Sequence, residues 1–164
     1  MAFDLEPITE SFYDDAPVRY VIDVQVPADP DYVWSEFTRQ NTLDWCRALK
    51  KVTYTSPAPY DDATTRTAVL LGGVTLHEQF FLWDEDRQTH RYRHGFYGLD
   101  ASVPGLTHFG EYTEVTPGAG GGSRIVWKFA LQLKAPALPA PIASKIAGAA
   151  FGLVKKDTVK HFSR

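Results

Sequence analysis

The sequence has one cysteine, Cys46, among its 164 residues. That excludes an internal disulfide and a thiolate metal cluster. It has no uninterrupted apolar run of about 18 residues, the least a membrane-spanning helix needs. Residues 137–154 come nearest, and Pro139, Pro141, Ser144 and Lys145 break them. It has no excess of positive charge either: the formal net charge is -3 and the lysines and arginines are dispersed. The one basic cluster, Lys155, Lys156, Lys160 and Arg164, falls at the C-terminal end of an expected helix, where cations complement the helix dipole. Nucleic acid is therefore not an expected partner. The opening residues MAFDLEPITE carry acids and lack the basic start and apolar stretch of a secretory signal. Together these absences lead us to expect a cytoplasmic protein with no integral membrane segment. They leave its oligomeric state open.

Catalytic and cofactor motifs are also missing. The glycine run at 118–122 precedes a strand pattern and is not followed by Lys-Ser/Thr, so it is no phosphate loop. There is no Gly-x-Ser-x-Gly elbow. His77 and Glu78 are adjacent, which on a strand points them to opposite faces. His90 and His94 are four apart, a helical spacing inside a strand-like pattern. We expect no metal site and no cofactor.

What the chain does have is aromatic side chains, 13% of the sequence, and alternation. RYVIDVQVP at 19–27 puts Tyr20, Ile22, Val24 and Val26 on one face. Strand patterns follow at 48–55, 64–71, 74–83, 89–97, 106–116 and 123–133, seven in all, joined by short turns such as Gly72-Gly73. Short connections between consecutive strands make an antiparallel meander. Between the first two, Asp29 and Pro30 carry the cap and first-turn signals of a helix over Asp31–Gln40, and Thr42 can cap a second short helix, Thr42–Cys46. The last segment, Ala137 to Phe162, reads as one long helix, continuous from Pro141. Ile142, Ile146, Ala149, Ala150, Leu153 and Val154 are its expected apolar face, with Ala147, Gly148 and Gly152 adding little bulk. Residues 1–17 show no clear period and are expected to form an arm. Residues 18–164 are expected to form a single domain.

The order strand, two short helices, six strands and long helix resembles the helix-grip fold of the SRPBCC, or START-like, superfamily. The likeness rests on VPADPDYVWSEFTRQNTLDWC, LHEQFFLWDEDRQTHRYR and GSRIVWKF before the final helix. It covers about Arg19 to Phe162. The fold class it implies is α+β: a curved seven-stranded antiparallel sheet with two short helices, wrapped around one long C-terminal helix. Polyketide cyclase/dehydrase-like and birch-pollen-allergen-like proteins share that fold. The resemblance implies lipids, sterols, hormones or polyketide intermediates as ligands, held between sheet and helix, with ring closure or dehydration in some members.

Alternation and helical spacing select Tyr92, His94, Phe96, Tyr112, Trp127 and Phe129 as the expected lining of such a cavity, capped by Ile146, Ala150 and Leu153. His94 and Tyr92 are the expected polar anchors for a ligand carbonyl or hydroxyl. Which face of strands 74–83 and 106–116 turns inward is left open. Glu78 reads as a catalytic acid or cavity anchor on one side and a solvent-facing strand carboxylate on the other, and the solvent-facing reading is the default. Binding of a hydrophobic or amphipathic small molecule is the leading expectation, since it needs only a cavity and one or two polar groups. An aromatase/cyclase-type enzyme using acid–base residues in the same cavity is the alternative. A protein-interaction module with a small cavity is a third. No catalytic residue is assigned.

Overall fold

The alternating segments pair into one curled antiparallel sheet in a computed structural model that describes residues 1–134 and 139–164. The seven long strands are β2 (Val18–Val26), β3 (Leu49–Tyr54), β4 (Thr65–Leu70), β5 (Thr75–Asp86), β6 (Arg91–Ala101), β7 (Leu106–Pro117) and β8 (Ser123–Leu133). Their order in the sheet is β2-β8-β7-β6-β5-β4-β3. The first long strand closes on the last, Ile22 opposite Trp127, and the rest is a meander. Register shifts in β5 against β6 help the sheet to curl. The concave face carries Ile22 and Val26, Val52 and Tyr54, Ala68, Phe80, Phe96, Val115, Ile125 and Trp127, all buried.

Helix α2 (Pro30–Thr38) starts as its capping signals require: the Asp29 carboxylate accepts from the Asp31 amide, and Pro30 occupies the first turn. Its buried face, Val33, Trp34 and Phe37, plugs one end of the concave side. The second short helix expected at Thr42–Cys46 does not form. Asn41 and Leu43 take positive φ, 57° and 61°, which a right-handed helix cannot contain. Thr42 donates its hydroxyl to the Glu36 carbonyl instead of capping a new turn.

Helix α3 (Ala140–Phe162) is the long C-terminal helix. Ala137, where the sequence pattern begins, lies outside the described residues. Its inward face differs from the expected one. Ala143, Ala147, Val154, Thr158 and Phe162 are buried, whereas Ile142, Ile146 and Leu153 are exposed. The cause is the sheet opposite. Tyr20 and Phe129 already stand up from β2 and β8 and take Phe151 between them, at 5.7 and 4.1 Å between centroids. Close approach elsewhere along β2 then needs small residues, and the face that supplies them turns inward.

The N-terminal segment lies on the convex side. A two-residue strand β1 (Phe3–Asp4) pairs with the end of β6. The Leu5 amide donates to the Leu99 carbonyl and the Glu6 amide to the Thr107 carbonyl, so the arm bridges β6 and β7 where they splay. One turn of helix, α1 (Phe12–Asp15), follows. Tyr13 donates its hydroxyl toward the backbone carbonyls of Phe96 and Glu111 at 3.2 and 2.9 Å. Gly95 and Gly110 make this possible, since a Cβ at either would collide with Tyr13 or Ile8.

Candidate functional site

The aromatic plug at the α2 end fills only part of the concave face. Beyond it a cavity of about 270 Å³ remains between the sheet and the middle of α3. Leu70, Val74, Val103, Leu106, Leu131, Ala150 and Phe151 form its outer part, and Ala68, Leu76, Phe109, Trp127 and Phe129 its inner part. Among the described residues only two ionisable side chains reach it, Glu78 from β5 and Glu111 from β7. Leu70, Val103, Leu106 and Leu131 are half-buried and Ala150 is exposed, so the space opens at this end.

The two carboxyls are held differently. Glu78 is buried and bonded to Arg66 Nε at 2.7 Å, with both side chains almost wholly out of solvent. The guanidinium also lies over the rings of Phe96, Phe80 and Tyr54, at 4.4, 5.3 and 5.7 Å. Burial opposes the charge of Arg66, yet Glu78, with Tyr54 and Glu111, holds its pKa above the ordinary value. Burial pushes Glu78 up, and Arg66 pulls it back toward the ionised form. Glu111 has no cation of its own. Its Oε2 accepts from Trp127 Nε1 at 3.0 Å. Burial first, then the neighbouring Glu78 charge, raises its pKa to about 8. At neutral pH Glu111 is therefore a carboxylic acid, with an O–H to donate in an otherwise apolar space.

The sequence-selected residues separate into three groups. Trp127, Phe129 and Ala150 line the cavity. Tyr92, His94 and Phe96 share the concave face but sit outside the lining. Tyr92 and His94 lie at the end that α2 fills. There the Tyr92 ring stacks on Trp34 and its hydroxyl donates to Asp31. His94 is boxed by Trp34, Phe80, Trp83 and Phe96. Both His94 ring nitrogens lack partners, and burial, then Arg66, lowers its pKa to about 3. The anchor role expected of His94 and Tyr92 meets this packing, which keeps both from the cavity. Tyr112, Ile146 and Leu153 form the third group. Tyr112 is on the convex face, against Tyr13 at 5.7 Å, because β7 turns its odd-numbered residues inward. Ile146 and Leu153 point to solvent.

The solvent-facing position that the sequence favours for Glu78 is overturned, since Glu78 is buried in the cavity wall against Arg66, and sequence reasoning missed Arg66 and Glu111 as its neighbours. Arg66 alternates with Ala68 and Leu70, an inward set, and that was a usable signal. The pairing with Glu78 depends on the β4–β5 register, Arg66 opposite Glu78. The two-residue Gly72-Gly73 turn suggested by sequence would shift that register by one. In the structure the Leu70 amide donates to the Val74 carbonyl across a three-residue turn, Leu71 to Gly73.

Residues 17–162 match the family model described as polyketide cyclase / dehydrase and lipid transport. The chain is 28% identical over 140 residues to the uncharacterized protein Rv2574 of Mycobacterium tuberculosis, covering 84% of this chain and 80% of that one. Among solved structures, a START superfamily protein from Mycobacterium smegmatis superposes with a TM-score of 0.70 at 13% identity, over 88% of this chain and 96% of the other. The ZhuI aromatase/cyclase from a Streptomyces species gives 0.65 at 12% identity, over 87% and 92%. At these identities the superpositions establish a common fold, with the long helix over the curled sheet. Since the family model matches residues 17–162 of 164, the chain belongs to the polyketide cyclase/dehydrase and lipid transport family.

Proposed function

We propose that the protein binds an amphipathic small molecule in the cavity between sheet and α3. The ligand has an apolar body and one hydrogen-bond-accepting oxygen. That oxygen seats against Glu111, and the body runs past Phe109 and Phe129 toward Leu106, Leu131 and Phe151. The observation that carries this reading is the contrast between an apolar wall and a single uncharged carboxyl with donor capacity left over. Sites of this kind use a few polar groups to orient a ligand that apolar contact holds. A volume of about 270 Å³ suits a compact ligand, or one whose tail leaves through the opening.

A second reading has one observation in its favour. A carboxyl that stays protonated to about pH 8 is a competent general acid, as ring closure or dehydration of a polyketide-like substrate would need. The two readings separate on Glu111→Gln, which removes the transferable proton and keeps an amide that can donate. In the carrier reading, affinity for an environment-sensitive apolar fluorophore bearing a carbonyl falls about tenfold or less. If affinity holds while turnover of a model polyketide drops by about 10²–10⁴, the enzyme reading replaces it. Absence of fluorophore binding to the wild type contradicts both.

A further inference from the structure

Helix α3 shows solvent an apolar stripe. Ile142, Ile146 and Leu153 are 50%, 58% and 43% exposed, and helical spacing stacks them on one side with the exposed Ala149. Leu71, 73% exposed, stands at the tip of the β4–β5 turn. Its neighbours Leu70 and Val74 edge the same cavity as Ala150 and Phe151 of α3. Toward the C-terminus the stripe turns basic. Lys156 and Lys160 follow Leu153 by three and seven residues, both exposed, with Lys155 and Arg164 beside them. Two shallow clefts flank this end of the helix, and Lys156 and Lys160 border both. The single acid of α3, Asp157, is taken by Arg47 at 2.9 Å. The helix surface is thus cationic on a chain whose net charge is -3.

We propose that this face docks on an anionic lipid bilayer, with Ile142, Ile146 and Leu153 entering the acyl boundary and the lysines meeting the headgroups. An apolar stripe flanked by lysines is the pattern of a helix that lies in a membrane interface. No helix among the described residues is long and apolar enough to cross a bilayer, so the contact is peripheral. Charge selects the bilayer over a second copy of the chain. Two α3 helices packed antiparallel set the lysines of one against the apolar stripe of the other, and packed parallel they set lysine against lysine. An anionic surface satisfies both halves of the stripe at once. The proposal concerns the outer face of α3 and goes beyond the reading of the cavity.

Flotation with phosphatidylcholine vesicles, with and without phosphatidylglycerol, tests it on the full chain. The protein is expected to float with the anionic vesicles, and to be released by high salt. Ile146→Asp/Leu153→Asp should abolish flotation, and Lys156→Glu/Lys160→Glu should lower the partition coefficient by about tenfold or more. All four side chains are exposed, so circular dichroism and the melting temperature should match the wild type, and fluorophore binding in the cavity should persist. No flotation of the wild type overturns the proposal. So does flotation that the folded double variants retain. A concentration-dependent dimer that Ile146→Asp/Leu153→Asp dissolves, without vesicle binding, assigns the stripe to a second copy and also overturns it.

Discussion

Glu111 decides the electrostatics of the interior. Its folded pKa, about 8, is above the ordinary carboxylate value. Between the two values the folded chain keeps a proton that the unfolded chain releases, so stability falls as pH rises through that window. His94 acts with the opposite sign: its pKa is lowered, so stability falls as pH drops below its ordinary value toward about 3. Above about pH 6.5 the His94 contribution is constant. There the stability of wild type minus Glu111→Gln should decline by about 1.4 kcal/mol per pH unit up to about pH 8 and then level off, as read by chemical denaturation. A flat difference would mean Glu111 is ionised throughout. His94→Phe replaces two unpartnered buried nitrogens with a ring of similar size. It should leave stability unchanged or raise it by about 1 kcal/mol; a loss above 2 would reveal a partner, such as a buried water. Arg66→Met leaves Glu78 buried without its cation and should cost about 3–5 kcal/mol, most of which Arg66→Met/Glu78→Leu should restore. Sequence marked His94 as a polar side chain on an inward face, and it is one. It could not mark which half of that face α2 covers, because that depends on how Trp34 meets Tyr92 and His94 across the sheet.

At the scale of elements, strands were more legible than helix faces. Strand alternation has a period of two and buries one side, so Ile125, Trp127 and Phe129 had one possible orientation once paired. For α3 the apolar residues occupy more than half the circumference, and the choice of inward face falls to the sheet. Tyr20, Phe129 and Phe151 make that choice by bulk, and the isoleucines are left outside. The turn Leu71–Gly73 adds one residue to the expected hairpin, and that residue sets which β4 side chain meets Glu78. Gly148 gives this level its own test. Nothing lies within 4 Å of where its Cβ would be, so close packing does not account for it. Gly148→Ala should therefore raise stability by about 0.5–1 kcal/mol in thermal or denaturant unfolding. A decrease would mean that α3 needs flexibility at that point.

For the whole molecule, the division of the concave face is the central fact. Helix α2 and its aromatic neighbours close one end, and at the other a space remains beside Ala150, Phe151 and Val154 of α3. The N-terminal segment braces the sheet from behind through Tyr13, whose hydroxyl bonds the backbone of Phe96 and Glu111. The sheet therefore holds its curvature over a space that side chains do not fill, and Glu78 and Glu111 are the ionisable groups lining it. The most direct measurement is native mass spectrometry of the protein purified from its own host without detergent, wild type beside Ala150→Phe. Ala150 lines the cavity and is exposed, so phenylalanine there can enter the opening without overpacking a core. The account predicts a small-molecule adduct on the wild type, absent from a folded Ala150→Phe protein. A bare wild-type mass with no uptake of apolar fluorophore, or an adduct that Ala150→Phe keeps in full, would contradict it.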